Sequence, residues 1–89
     1  MLNLYRGKVF IKEYRKVKFT DKLYLKYLLF TGALLREEPL PPEAKDHPLK
    51  GNFADYRELH ISGDLLLVYR IKEDTLQLIR INSHSEIFD

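Results

Sequence analysis

Hydrophobic residues in the first half of the chain recur every three to four positions, which is the spacing of one face of an α-helix. Residues 8–18 follow this spacing and predict a first helix with basic residues on its outer surface. Thr20 or Asp21 is expected to cap a second helix, because its side-chain oxygen accepts hydrogen bonds from free amides of the first turn. A cluster of prolines ends this helix at about Glu38, since proline lacks the amide that a continuing helix needs. The positions predicted to be buried are Val9, Phe10, Tyr14 and Val17 on the first helix, and Tyr24, Tyr27, Leu28, Thr31, Leu34 and Leu35 on the second.

The pattern changes in the second half, where hydrophobic residues alternate with polar ones or form continuous runs, as they do in β-strands. Residues 56–61 alternate, and residues 65–71 form a nearly continuous apolar run that is typical of a central strand buried on both faces. Polar turns at 62–64 and 72–74 connect these strands to each other and to a further strand at 76–81. Weaker patterns predict an opening strand at 3–5, a loop at 82–85 and a short final strand at 86–88.

This order of elements predicts an α+β fold of two layers, with two N-terminal helices packed on one face of a small antiparallel β-sheet. The other face of the sheet is expected to stay open and to be the place where a ligand binds. The length of 89 residues and the ordinary globular balance, 45% hydrophobic and 31% charged, predict a single domain over residues 1–89. The chain has no cysteine, no signal-peptide pattern and no apolar run long enough to cross a bilayer, so we expect a cytoplasmic protein without membrane contact.

Charge is distributed unevenly along the chain, although the net charge is only +2. Residues 1–30 contain eight basic and two acidic residues, a net charge of +6, while residues 31–89 contain seven basic and eleven acidic residues, a net charge of −4. A concentrated positive field attracts polyanions, so nucleic acid or an RNA-rich particle is a plausible partner. The alternative is that these basic residues only solvate the outer faces of the helices.

Three histidines are the strongest candidates for chemistry: His47 in a loop before a proline, His60 near a strand end, and His84 in the last predicted loop. Because hairpins bring strand ends together, we expect the last two to meet at one sheet edge with Asp64 and Arg80. Cleavage of RNA without a metal needs one group that removes the 2′-hydroxyl proton, another that protonates the departing 5′ oxygen, and a cation that stabilises the phosphorane. Two histidines and an arginine provide this set.

Each candidate also has a purely structural interpretation. His47 would close a loop, Asp64 would stabilise a turn, and Arg80 would pair across the sheet with Glu58. A metal site made of the three histidines and Asp64 is disfavoured, because spacings such as HExxH are absent. No metal or other cofactor is therefore expected.

Four segments of the second half resemble, in order and with matching spacing, successive blocks of the YafQ-like toxins of the RelE superfamily. The segments are 45–51 (KDHPLKG), 56–60 (YRELH), 64–69 (DLLLVY) and 78–88 (LIRINSHSEIF). The resemblance is close over residues 39–88 and extends to the front half in layout only. Two positions depart from the family pattern: Leu65 stands where some members have tryptophan, and Asn82 stands where glycine is usual.

The resemblance implies a RelE-like fold and an mRNA endoribonuclease that enters the decoding site of the 70S ribosome and inhibits translation. It also implies neutralisation by a ribbon-helix-helix antitoxin of the DinJ type, with DNA contacted only through that complex. The family's active residues match His47, His60, Asp64, Arg80, His84 and Phe88. Under this interpretation His84 and His60 share the proton transfers, with the base and the acid unassigned, and Arg80 binds the scissile phosphate. His47 would orient the phosphate or assist proton transfer, Asp64 would take part in the proton transfers with His84 and His60, and Phe88 would stack against or position a base.

Ribosome binding under this interpretation uses basic residues against RNA phosphates. The residues assigned to it are Lys8, Lys12, Arg15, Lys16, Lys50 and Arg57. Two other functions are compatible with the same fold: a non-enzymatic ParE-like poison of DNA gyrase, which needs no histidine cluster, and a non-catalytic RNA-binding module.

Overall fold

The computed structural model describes residues 1–88 as helices packed against one five-stranded sheet. In chain order the elements are β1 (Asn3–Arg6), α1 (Lys8–Tyr14), α2 (Asp21–Leu35), a 3₁₀ turn (Pro42–Ala44), β2 (His47–Pro48), a second 3₁₀ turn (Gly51–Phe53), β3 (Arg57–Ser62), β4 (Leu65–Lys72), β5 (Thr75–Ser83) and α3 (His84–Phe88). None of the helices within this part of the chain is long and apolar enough to span a membrane.

The strands are arranged in the order β1-β5-β4-β3-β2, so β4 is the central strand. Strands β2 to β5 are antiparallel to their neighbours, whereas β1 is parallel to β5, which makes the sheet mixed. Four consecutive residues of β4, Leu66 to Tyr69, are buried, as expected of a central strand covered on both faces. The predicted α+β class and the meander of three strands are confirmed.

The first helix is shorter than predicted, because it ends at Tyr14 rather than continuing to Lys18. The next backbone bonds, from Lys16 to the Glu13 carbonyl and from Val17 to the Tyr14 carbonyl, join residues three apart and tighten the last turn. The chain then turns back so that four aromatic rings cluster between α1 and α2, with centroid separations of 5.3 to 6.2 Å. These rings belong to Tyr14, Phe19, Tyr24 and Tyr27. Packing of this cluster therefore competes with continuation of the helix.

The second helix begins as predicted, since the Thr20 hydroxyl accepts a hydrogen bond of 3.1 Å from the amide of Leu23. It ends at Leu35, three residues early, and Glu37 then adopts a left-handed conformation with φ of 56°. That conformation stops a helix by itself, so the prolines are not what ends it.

The buried stripe of α2 was predicted only in part. Tyr27, Thr31 and Leu34 are buried, but Tyr24 and Leu28 are exposed, and Phe30 takes a core position. The apolar residues of α2 surround most of the helix, so their spacing fits more than one face. On α1 the same ambiguity affects Val9, which is exposed while Phe10 is fully buried.

The end of the chain differs from the prediction of a loop and a final strand. Strand β5 continues through Ser83, and residues 84–88 form the helix α3. The Ser83 hydroxyl accepts a hydrogen bond from the amide of Glu86, as a residue preceding a helix does. The two-residue strand β2, which pairs with β3, was also not predicted.

The sheet face opposite α1 and α2 is partly covered rather than open. Leu66 and Val68 of β4 lie outside the helix-side core, yet they are only 1% and 3% exposed. The cover above Val68 comes from α3 and from the segment that includes the second 3₁₀ turn. These pieces leave a cleft over the middle of the sheet.

Candidate active site

The register of the sheet aligns four residues in a row across β2 to β5. His47 is opposite Glu58, Glu58 is opposite Val68, and Val68 is opposite Arg80. Directly opposed residues of antiparallel strands point to the same face, so the row lies on the face away from the helices. His60 belongs to the next row of the same face, because it is opposite Leu66 on β4.

Glu58 lies between the first two histidines. One of its carboxylate oxygens is 3.5 Å from Nε2 of His47, and the other is 3.7 Å from Nε2 of His60. The side chain of Glu58 is only 6% exposed, so it has little water to interact with. Both distances exceed those of normal hydrogen bonds, but each contact becomes an ion pair when the imidazole is protonated. One buried carboxylate therefore lies within ion-pair distance of both rings.

His47 is oriented by a second contact. Its Nδ1 atom lies 2.7 Å from the carbonyl oxygen of Lys45. A carbonyl can only accept, so Nδ1 carries a hydrogen and Nε2 is the atom that faces Glu58. His47 therefore closes its loop through this contact, and the same contact fixes the ring beside Glu58.

His84 and Phe88 form a separate group on α3. The centroids of their rings are 5.0 Å apart, and Phe88 packs edge-to-face on Phe53 at 6.1 Å. The Asp64 carboxylate accepts a hydrogen bond of 3.4 Å from the backbone amide of His84. Asp64 therefore helps to hold the start of α3 through the backbone.

Arg80 does not pair with Glu58, because Val68 separates the two residues in the register. Its guanidinium forms two hydrogen bonds of 2.8 Å with the carboxylate of Glu13 on α1. These bonds and the ionic attraction of Glu13 raise the pKa of Arg80, so its positive charge is secure. A further contact of 3.5 Å links Arg80 to the Glu86 carbonyl, which connects it to α3.

Of the four residues expected at one sheet edge, Asp64, Arg80 and His84 each contact α3 or belong to it, whereas His60 lies beside Glu58 on β3. His47, Glu58 and His60 lie on β2 and β3, whereas Arg80, His84 and Phe88 lie on β5 and α3. A cleft of about 220 Å³ on the same face of the sheet is mainly apolar, and Arg80 and Phe88 contribute to its wall. The residues that line it are Leu49, Phe53, Tyr56, Val68, Ile79, Arg80, Ile87 and Phe88. Such a cleft suits a planar aromatic group that carries a phosphate.

Glu58 and Glu13 were not among the candidate residues derived from the sequence. Glu58 had a detectable signal, because it stands two positions before His60 in an alternating strand and therefore shares its face. Glu13 had none, since it is separated from Arg80 by 67 positions.

Five of the six predicted RNA-binding residues are exposed. They are Lys8, Lys12, Arg15, Lys16 and Lys50. Lys16 borders a depression of about 340 Å³ that also includes Glu13, Asp64 and Asn82, so the end of α1 lies beside the candidate site.

Arg57 differs from the other basic residues. It is opposite Tyr69, a core residue, and so points to the helix side of the sheet rather than toward the histidines. Its guanidinium is 2.9 Å from the Asp46 carboxylate, which also accepts a hydrogen bond from the Tyr69 hydroxyl. This bonding raises the pKa of Arg57 and anchors the segment before His47. We therefore leave Arg57 out of the proposed RNA contacts.

Within residues 1–88, no group of three or more histidine, aspartate or glutamate side chains has the arrangement of a metal site.

Comparison with known proteins relates this arrangement to a family of toxins. The chain is 36% identical over 75 residues to the mRNA interferase toxin YafQ of Escherichia coli K12, which corresponds to 83% of this chain and 77% of the relative. A metal-bound toxin from Helicobacter pylori has a similar structure, with a TM-score of 0.86, 47% identity, and coverage of 99% of this chain and all of that one. The toxin in the E. coli DinJ-YafQ complex is also similar, with a TM-score of 0.75, 30% identity and full coverage of both chains.

A family model described as bacterial toxin of type II toxin-antitoxin system, YafQ, matches residues 2–89. The histidines, Arg80 and Phe88 all fall within this match. The match covers more than half of the chain, and the E. coli relative exceeds 30% identity over more than two thirds of it. The chain belongs to the YafQ family of bacterial toxins of type II toxin–antitoxin systems.

Proposed function

We propose that this protein is an endoribonuclease that cleaves mRNA on the 70S ribosome and so inhibits translation. The observation that carries the proposal is the sheet face on which Glu58 lies between His47 and His60, with Arg80 in the same row across β4 and His84 on the adjoining helix α3. The name of the E. coli relative, mRNA interferase toxin, supports the same activity. Residues 1–89 would act as one toxin domain.

The proposed reaction is attack of the 2′-hydroxyl on the adjacent phosphorus. The O2′–P bond forms as the P–O5′ bond breaks, one group takes the 2′ proton, and another protonates the 5′ oxygen. We assign His60 as the proton acceptor, because Glu58 stabilises the imidazolium that forms. His84, at the start of α3, would donate the second proton. His47 would assist through the shared carboxylate, and the steps require no metal or other cofactor.

Arg80 is the proposed phosphate-binding residue. A guanidinium stays charged and offers several donors, which suits the extra negative charge of the phosphorane. Phe88 would stack on a base beside that phosphate, with Phe53 packed against it. Asp64 would support this side of the site by holding the first residue of α3.

Binding to the ribosome would use the exposed basic residues. The proposed contacts to RNA phosphates are Lys8, Lys12, Arg15, Lys16 and Lys50. Such contacts release counterions, so affinity should fall steeply as salt increases. Because Lys16 borders the depression next to Asp64, this surface would bring the ribosome close to the cleft.

The proposed regulator is a DinJ-like antitoxin of the ribbon-helix-helix type. The support is that a toxin similar to this chain over its full length forms a complex with DinJ in E. coli. DNA would be contacted only through the antitoxin. The proposed location is the bacterial cytoplasm, where the ribosomes are, without any role for a membrane.

The decisive experiment is cleavage of a defined mRNA on programmed 70S ribosomes, with the native protein compared with His84→Ala and with Lys72→Ala. Lys72 is an exposed cation at the end of β4, away from the cleft, and serves as the control. We expect cleavage in the decoding site by the native protein and the control, loss of cleavage with His84→Ala, and intact free RNA. Intact mRNA with a folded native protein would refute the proposal, and inhibition of gyrase in parallel would favour the ParE-like alternative.

A further inference from the structure

The carboxylate of Glu13 binds three consecutive residues of β5. Its Oε1 atom accepts hydrogen bonds from Arg80 Nε at 2.8 Å and from the Ile81 amide at 3.2 Å. Its Oε2 atom accepts hydrogen bonds from Arg80 Nη2 at 2.8 Å and from Asn82 Nδ2 at 3.0 Å. With four donors and a side chain only 11% exposed, this carboxylate is held in one place.

The position of Glu13 follows from the sheet. Strand β1 ends at Arg6, which is opposite Leu78, so it no longer pairs with the remainder of β5. Beyond Leu78 this edge of β5 has no neighbouring strand in the described part of the chain, and the Ile81 amide donates to the Glu13 carboxylate of α1 instead. The strand register also shifts where Val68 and Tyr69 of β4 face β5, so the backbone next to Arg80 is irregular. Arginine on such a strand would be poorly fixed without a side-chain partner.

Glu13 occupies only one edge of the Arg80 guanidinium, the edge formed by Nε and Nη2. Among residues 1–88, no hydrogen-bond partner of Nη1 is found. The side chain of Arg80 is 30% exposed and forms part of the cleft wall next to Phe88. The Nη1 donors therefore remain available to an anion in the cleft.

We propose that Glu13 is a positioning residue that orients the Arg80 guanidinium so that its free Nη1 edge meets the scissile phosphate. This inference rests on the proposed endoribonuclease activity. A free arginine samples many rotamers and would lose that freedom when substrate binds. Glu13 fixes the side chain beforehand, so the donors are already aimed at the charge that develops in the transition state.

An exclusively structural role for Glu13 makes a different prediction. If Glu13 only joined α1 to β5, its removal would lower stability to the same extent with or without Arg80, and the folded fraction would cleave normally. A positioning role predicts a lower kcat in folded protein and dependence on Arg80. Competition between Glu13 and the substrate phosphate would instead predict faster cleavage after its removal.

The test is cleavage of mRNA on programmed ribosomes by Glu13→Ala, Glu13→Gln, Arg80→Ala and the Glu13→Ala/Arg80→Ala double variant. Glu13→Gln protects against loss of the fold, because its amide oxygen can still accept from Arg80 Nε and the Ile81 amide. Its NH₂ group cannot accept the hydrogen bonds that Arg80 Nη2 and Asn82 Nδ2 donate in the native protein. Glu43→Ala is the matched control, since Glu43 forms an ion pair of 3.2 Å with Lys26 away from the cleft. Melting curves confirm that each variant is folded.

We expect Glu13→Ala to lower kcat by about 10- to 100-fold and to change KM by less than about threefold, because misplacement of a binding group mainly affects the transition state. Glu13→Gln should also lower kcat, and Glu43→Ala should leave it unchanged. In the Arg80→Ala background, Glu13→Ala should have no further effect on kcat.

Three results would overturn the inference while leaving the proposed function intact: native kcat in folded Glu13→Ala and Glu13→Gln, faster cleavage by either, or an equal effect with and without Arg80. Absence of cleavage by the native protein would instead overturn the proposed function and the inference together.

Discussion

The Glu58 carboxylate lies 3.5 Å from Nε2 of His47, across the pairing of β2 with β3. The same carboxylate lies 3.7 Å from Nε2 of His60 on the other side. Because one buried group lies close to both rings, we expect the two histidines to be linked through it. A change at Glu58 should therefore affect both of them.

Replacement of Glu58 by glutamine is expected to lower the cleavage rate by about tenfold or more. The amide has nearly the same size but no charge, so it cannot stabilise an imidazolium on either ring. His60→Ala should lower the rate by about 100-fold or more. The measurement is kcat on programmed ribosomes, with Glu43→Gln as the control.

A double variant tests directly whether Glu58 acts through His60. In a His60→Ala background, Glu58→Gln should lower kcat by a smaller factor than it does in the native protein, because one of the two partners of Glu58 is already absent. Equal factors in the two backgrounds would show that Glu58 does not act through His60.

The bond between Asp46 and Arg57 is expected to matter for stability and not for RNA binding. Asp46→Ala removes the acceptor of the Tyr69 hydroxyl and the partner of Arg57. Burial and the hydrogen bond to Asp46 both raise the pKa of Tyr69, so this hydroxyl stays protonated and needs an acceptor. A loss of about 1–3 kcal/mol in the free energy of unfolding is expected from a buried donor left without a partner. Urea unfolding measures it.

The salt dependence of ribosome binding should distinguish Arg57 from Lys16. Arg57→Ala should keep the native dependence of ribosome binding on salt, whereas Lys16→Ala should reduce the slope, because only Lys16 is assigned to a phosphate. A reduced slope for Arg57→Ala would return Arg57 to the RNA-binding surface.

Glu13 is expected to make stability depend on pH in the acid range. Burial alone would raise the pKa of Glu13, but hydrogen bonds from Arg80, Asn82 and Ile81, together with the charge of Arg80, lower it below the ordinary value of 4.5. An acid with a lowered pKa in the folded state stabilises that state above its unfolded pKa. This contribution is lost as pH falls from about 4.5 through the folded pKa.

The measurement for Glu13 is the free energy of unfolding in urea from pH 7 to pH 3. Native protein should be more stable than Glu13→Gln at pH 7, and the difference should shrink below about pH 4.5. A difference that stayed constant over this range would contradict the lowered pKa.

The fold was predictable where local pattern and packing agree. The continuous apolar run of β4, the cap at Thr20 and the turn before Leu65 depend on neighbouring residues only, and all are present. Helix α3 was missed because five residues are too few to establish a period, and Ile87 and Phe88 fit a strand equally well.

The site was predictable in its residues but less so in its contacts. The histidines could be singled out from the sequence because few other side chains transfer protons near neutral pH. The pairing of His47 with Glu58, which brings it near His60, depends on β2, a strand of two residues that leaves no periodic signal. The bond of Glu13 to Arg80 depends on where β1 ends relative to β5, which only the assembled sheet determines.

Phe53 is expected to contribute to substrate binding although it was not a candidate in the sequence. The residue is 48% exposed, and its ring packs edge-to-face on Phe88 at the rim of the cleft. Base stacking on an aromatic ring contributes about 1–3 kcal/mol, so Phe53→Ala should lower kcat/KM by about 5- to 150-fold. The melting temperature should change little, because half of the residue is already in water. Leu25→Ala, an equally exposed apolar residue on α2, is the control for loss of surface area. Native kcat/KM in Phe53→Ala would mean that the substrate base does not use this side of the cleft.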